Sequence, residues 1–266
     1  MRLQFPAAIT RYRELIWRLA ERDVSSRYKG SVLGWGWSLV QPLLSLAVYT
    51  FVFSQIFRSR WAGSDGGVLG YAINLFAGLL TFGIFSESLN KAPDLISSQP
   101  SYVKKIVFPL EVLSVVNITA AVYHSLTGIG ILVLFELLAW HRIPVTILLL
   151  PVVWVPLVGL CLACSWTLSA IGVFIRDISQ VIGVATSLLM FLSAVVYPAT
   201  ALPERWQSIA LLNPMVTIIE QTRRVAVEGY LPSARYLILG TVLSGLICEL
   251  SYRVFQKARR GFADVV

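Results

Sequence analysis

The chain has 266 residues, 56% of them hydrophobic and only 14% charged, with 22 Lys+Arg against 14 Asp+Glu for a formal charge of +8. Soluble domains carry about 25% charged residues, and their apolar share of roughly 45–50% already counts glycine. A mean hydropathy of +0.73 with clumped charge is a membrane composition, which excludes a disordered chain, a secreted disulfide scaffold and an ordinary cytosolic enzyme. The basic excess gathers at the ends of apolar runs, where it reports membrane orientation rather than nucleic-acid binding.

A membrane-crossing helix needs about 20 predominantly apolar residues. Runs free of Asp, Glu, Lys and Arg cover 28 residues from Gly30 to Phe57, 21 from Gly66 to Ser86, 24 from Val112 to Phe135, 33 from Ile143 to Ile175 and 26 from Ile178 to Pro203. A last run of 13, Tyr236 to Cys248, reaches Tyr252 once the single Glu249 is passed. The expectation is an all-α membrane protein, one transmembrane domain over 1–266 with six spans at about 33–57, 69–89, 110–138, 145–174, 179–197 and 234–255. With the N-terminus cytoplasmic, 15 of the 22 cations fall inside and 7 outside, so both termini are expected inside. The first apolar run follows a charged segment too long for a signal-peptide n-region, so no cleavable signal is expected. Cys161, Cys164 and Cys248 fall within spans. Cys161 and Cys164 share one helical turn with no His or carboxylate, which suits packing rather than redox or metal chemistry.

Along the chain, Ile9, Tyr12, Leu15, Ile16 and Leu19 recur at helical spacing while Arg11, Arg13, Glu14, Arg18, Glu21 and Arg22 fill the other side. Residues 9–27 therefore read as an amphipathic interface helix, with Glu14 and Arg18 as an i,i+4 pair. Trp35 and Trp37 mark the membrane boundary. The first outer loop carries Arg58, Arg60 and Asp65. In the stretch KAPDLISSQPSYVKKIVFP, Pro93 and Asp94 suit a first helical turn, Leu95 and Ile96 supply an apolar side, and Pro100 ends the turn near Gln99. So short a helix must dock on its own bundle or in another protein's groove.

His124, the only histidine within a span, reads as structural, with no carboxylate partner nearby. Arg176 and Asp177 form a tight turn. Pro198, Pro203, Asn213, Pro214, Gly229 and Pro232 break residues 198–233 into short pieces, expected to be a pair of re-entrant or interfacial outer helices at about 203–228. The C-terminal KARRGFADVV reads as a stop-transfer cluster and little more.

No G-x-x-x-x-G-K-[ST] or H-E-x-x-H is present, and His124 and His141 form no ligand cluster with a cysteine. Carboxylates come singly, so no acid/base pair can be named. The chain is expected to be no enzyme and to hold no cofactor or metal. Aromatics in the spans, including Tyr49, Phe53, Phe191 and Tyr197, suit either packing or stacking against sugar rings.

The run RELIWRLAERDVSSRYKGSVLGWGWSLVQPLLSLAVYTFVFSQIF at 13–57 resembles the N-terminal signature of permease subunits of polysaccharide-exporting ABC transporters, which carry O-antigen, capsule or teichoic acid. The resemblance continues through YVKKIVFPLEVL at 102–113, the Phe174 to Ile178 turn and LNPMVTIIEQTRR at 212–224. It implies a homodimer whose first and fifth spans line a glycan conduit, with two copies of a cytoplasmic ATPase subunit that carry ATP and Mg. It also implies that Pro93, Asp94, Leu95, Ile96, Ser97, Ser98 and Gln99 form a coupling helix, joined by Arg176 and Asp177. Trp35, Trp37, Tyr49, Phe53, Phe191 and Tyr197 become conduit candidates. Asn213, Pro214, Glu220, Arg223 and Arg224 belong to outer gate helices. Arg27 and Lys29 are candidates for holding a lipid diphosphate at the cytoplasmic mouth, or else plain positive-inside anchors. An ABC permease exporting drugs or small lipids, a lipid-modifying membrane enzyme and a membrane scaffold are the alternatives.

Overall fold

In a low-dielectric solvent every backbone N–H and C=O must find a partner within the chain, and helices achieve this locally. The computed structural model describes residues 5–56, 61, 67–104, 108–210 and 212–265. Among them every regular element is helical. Arg58, Arg60 and Asp65 of the first outer loop, and Lys105, lie outside the described residues.

The expected interface helix is two helices, α1 (Phe5–Arg11) and α2 (Arg13–Tyr28), separated at Tyr12. The Glu14–Arg18 pair forms at 2.6 Å. Helix α2 packs along α7 (Glu111–Trp140) and buries Ile16, Ala20 and Val24, an i,i+4 stripe, while Trp17 is exposed. Between them in sequence come α3 (Trp37–Thr50), which continues as π-helical turns over Phe51–Ile56, then α4 (Gly67–Lys91), α5 (Asp94–Ser97) and α6 (Pro100–Lys104). After α7 follow α8 (Leu150–Val153), α9 (Val155–Phe174), α10 (Ile178–Leu192), α11 (Glu204–Ala210), α12 (Pro214–Ala226), α13 (Ala234–Ala258) and α14 (Phe262–Val265).

Among the described residues, five stretches are long and apolar enough to cross a membrane: Gly34–Ser54, Gly67–Lys91, Glu111–Trp140, Val145–Phe174 and Ala234–Gly261. These match five of the six expected spans closely. The remaining one, expected over 179–197, is helical only over Ile178–Leu192. At 1.5 Å per residue those 15 residues reach about 22 Å, short of the roughly 30 Å of hydrocarbon. The chain leaves the helix at Ser193 because other side chains capture its next carbonyls. Ala194 adopts a left-handed φ of 52°, Ala194 and Val195 accept hydrogen bonds from Arg223, and Val196 accepts one from the Tyr71 hydroxyl. That makes a non-helical buried backbone tolerable.

Helix α4 is the centre of the bundle, touched by α3, α7, α9, α10 and α12. Buried residues make up 78% of its apolar window against 6% for the α3 stretch. Helices α9 and α13 pair along their lengths. The C-terminal tail is more than a charge cluster, which corrects the sequence expectation. Arg259 donates to Glu111 Oε2 and to the Phe108 carbonyl, both at 2.9 Å. Phe262 is fully buried between Phe174 and Phe255, with ring centroids at 6.0 and 5.6 Å. Burial of an aromatic ring holds the tail where charge alone would leave it in solvent.

Candidate functional site

A cavity of about 640 Å³ opens between α3, α4, α7 and α10. Its walls combine aromatic faces from Trp37, Tyr49, Phe76, Phe82 and Phe191 with hydroxyls and amides from Ser38, Gln41, Ser86, Asn90, Thr127 and Thr186. Hydroxyl-rich walls interrupted by ring faces complement a solute that is both polar and flat-faced. Thr186 donates to Asn90 Oδ1 at 3.0 Å, tying α10 to the end of α4. Of the six conduit candidates, Trp37, Tyr49 and Phe191 line this cavity and Trp35, Phe53 and Tyr197 do not. Trp35 is exposed in the turn ahead of α3, Phe53 stacks on Tyr49 at 6.4 Å, and the Tyr197 hydroxyl donates to the Phe191 carbonyl at 2.7 Å.

One end of the cavity is charged. Arg27, at the end of α2, pairs with Glu87 of α4, and its Nη1 lies 2.8 Å from His124 Nδ1. His124 Nδ1 is 3.3 Å from both Glu87 oxygens. Lys91 Nζ stands 3.3 Å from Asp23 and 3.7 Å from Glu87, and Asp23 also approaches Arg27 at 3.7 Å. His124 therefore has a carboxylate partner, contrary to the sequence expectation. Glu87 is 37 residues away, and no local pattern links two residues on neighbouring helices. Lys29 caps the end of α2 and is exposed, outside the cavity wall.

At the same end of α4, the expected coupling segment folds as α5. Its apolar pair divides: Ile96 is buried in its own bundle at 1% exposure and Leu95 is partly buried. Asp94, Ser98 and Gln99 are exposed, while Ser97 is intermediate. Pro93 is buried with its carbonyl against Gly172 of α9. Arg176 and Asp177 follow α9 directly and are both exposed. The structure thus brings the two sequence-distant segments to one end of the bundle.

The opposite end carries the broken segment. Asn213 caps α12, accepting from the Met215 N–H at 3.0 Å, and its Nδ2 donates to Ser193 Oγ at 3.0 Å. Pro214 occupies the first helical position, where its missing N–H costs nothing. Arg223 is 1% exposed. It donates to the carbonyls of Asn74 (3.0 Å), Ala194 (2.9 Å) and Val195 (2.6 Å), and to Glu220 Oε1 (2.9 Å), with its guanidinium 4.3 Å from the Trp61 ring centre. Burial lowers the Arg223 pKa to about 10, against the opposing pull of Glu220, so it stays charged at neutral pH. Gly78 makes the space, since a β-carbon there would sit 2.7 Å from Arg223 Nη2. Arg224 is exposed and donates to the Leu231 carbonyl. Two adjacent arginines thus differ wholly in environment, which no local sequence signal distinguishes.

Among the described residues no group of three or more His, Cys, Asp or Glu is arranged to hold a metal ion. Several long apolar helices around a mixed polar and aromatic cavity define a multi-pass membrane protein. Residues 14–226 match the ABC-2 type transporter membrane family, and the chain belongs to it. Along 96% of both chains it is 27% identical to an O-antigen export system permease protein RfbA of Myxococcus xanthus. It is 23% identical to an RfbA of Klebsiella pneumoniae over 95% of each chain. It is also 23% identical to the polysialic acid transport protein KpsM of Escherichia coli, over 89% of this chain and 92% of that one.

Proposed function

We propose that the chain is the transmembrane subunit of an ABC exporter that moves a polyprenyl-diphosphate-linked polysaccharide, an O-antigen, across the cytoplasmic membrane. ATP hydrolysis on a separate subunit drives it, and that subunit carries the ATP and Mg. The observation that carries this reading is the cavity, whose aromatic and hydroxyl walls suit sugar rings and whose charged end suits a lipid phosphate. Similarity along nearly the whole chain to named O-antigen permeases supports the glycan class.

On this reading both termini and the charged end of the cavity face the cytoplasm, and α10 with the residues after it completes a sixth crossing. Two copies pair through the α3 and α10 faces, where Leu39, Leu43, Val48, Val184, Leu188 and Leu192 are exposed. Such a large apolar surface suits burial in a dimer or in lipid. Helix α5 and the Arg176–Asp177 turn receive the ATPase subunit. Its ATP-driven closure pushes on α5 and shifts the two permease halves. The gate lies at the α11–α12 end. Arg27 and Lys29 stand at the mouth that meets the lipid diphosphate.

Deletion of the gene with localisation of lipid-linked glycan tests the proposal. Glycan accumulating on the cytoplasmic face is the expected result, and polymer still reaching the cell surface overturns it. Co-purification with an ATPase subunit, weakened by a substitution at the partly buried Leu95, tests the partner.

A further inference from the structure

Three basic or potentially basic side chains converge on one carboxylate at the charged end of the cavity. Arg27 pairs with Glu87, Lys91 approaches it at 3.7 Å, and His124 lies 3.3 Å from both its oxygens. They come from α2, α4 and α7, three elements far apart in sequence. Arg27, Glu87 and His124 line the cavity directly, with Lys91 one turn along α4 from Glu87. The side chains are 15–36% exposed, so a ligand can reach them without dismantling the core.

A guanidinium and an ammonium that share a carboxylate present the donor set that phosphate oxygens also accept. With Asp23 included, the cluster holds two cations against two carboxylates beside a histidine. It therefore offers an arriving anion little net attraction while Glu87 stays in place. A phosphate that takes the position of the Glu87 carboxylate meets both cations at once.

We propose that Glu87 is a resident stand-in for the substrate's phosphate. An anionic diphosphate headgroup displaces it, and Arg27, Lys91 and His124 then bind that headgroup together. On export Glu87 reclaims the cations and expels the headgroup. The inference rests on the reading of this cavity as the entry site for a lipid-linked substrate. It adds Lys91 and His124 as headgroup ligands and gives Glu87 the role of setting both the threshold for entry and the ease of release.

The test uses the purified full-length chain in lipid nanodiscs with farnesyl diphosphate as probe. Glu87→Gln keeps the side-chain shape and removes the competing charge. It is expected to tighten farnesyl diphosphate binding by about tenfold, the scale of one charge-assisted contact, and to slow export in cells because release is impeded. Lys91→Gln is expected to weaken binding by about fivefold on the same scale. Unchanged or weaker binding in a folded Glu87→Gln overturns the proposal. If that variant fails to fold, unchanged binding in Lys91→Gln overturns it instead. Competition by inorganic pyrophosphate supports the proposal and shows that the free anion suffices. Competition by the lipid diphosphate alone supports it and assigns the anion to a lipid. Displacement of the probe by farnesol as effective as by farnesyl diphosphate overturns it. Arg27→Gln separates the two levels: wild-type binding in that variant defeats the entry-site reading as well. Loss of binding there with no gain in Glu87→Gln defeats only the stand-in role.

Discussion

The carbonyl group of Pro93 rests on Gly172 of α9 so closely that a β-carbon at residue 172 would overlap it. This one backbone contact seats α5 on the end of α9. It also sets the spacing between α5 and the exposed Arg176–Asp177 turn, which begins four residues after Gly172.

Replacing Gly172 by Ala is expected to shift α5, because backbone cannot rotate aside as a flexible side chain can. Overpacking of this kind costs about 1–3 kcal/mol. Thermal unfolding should show that modest loss, while ATPase stimulation by the permease should fall far more. Full stimulation at normal stability would show that the α5 seat does not set coupling.

Arg223→Met is expected to be among the most damaging single changes in the chain. It strands buried carbonyls at Asn74, Ala194 and Val195. The loss should be on the order of 3–5 kcal/mol. Arg223→Lys restores charge but not the fork that reaches three carbonyls, so it should recover only part of the stability. The exposed neighbour Arg224, changed to Ala, should move stability by less than about 0.5 kcal/mol. Melting in detergent by intrinsic fluorescence compares the three, and equal effects at 223 and 224 would contradict the burial.

Removing the Phe262 ring should release the C-terminal tail. Phe262→Ala leaves a cavity between Phe174 and Phe255 worth about 3–5 kcal/mol. Limited proteolysis should then cut near Arg259 and Arg260, sites expected to resist in the parent protein. Unchanged resistance would show that the Arg259 contacts to Glu111 and Phe108 suffice.

Trp37→Ala and Phe191→Ala test the cavity separately from the fold. Both side chains are partly solvent-exposed on its wall, so stability should change little. Loss of one stacking face should lower glycan export by about tenfold, the scale of one aromatic contact. Trp35→Ala, outside the wall, serves as the comparison. Quantifying surface polymer against protein abundance reads the difference.

Much of the helical layout was legible in the chain itself. Charge-free runs located five long apolar helices to within a few residues, since a helix in hydrocarbon must be long and cannot carry many charges. Asn213 and Pro214 marked a break in the chain, and the structure places them at the cap and first position of α12. Leu95 and Ile96 announced an apolar side on α5, but periodicity could not say which of them turns inward. Of the aromatic residues singled out in the spans, Trp37, Tyr49 and Phe191 line the cavity, whereas Tyr197 is turned to bond the Phe191 carbonyl.

Composition and spacing alone determined that the chain is an all-helical membrane protein with charged ends, because solvent polarity acts on each segment independently. Only tertiary structure decided which charges meet. Glu87, His124 and Arg27 are each unremarkable in their own segments. Arg223 and Arg224 are adjacent, yet one is sealed among carbonyls and the other faces outward. Electrostatic partners are set by distance in space, and helix packing brings residues 60 or more positions apart within reach of a single carboxylate.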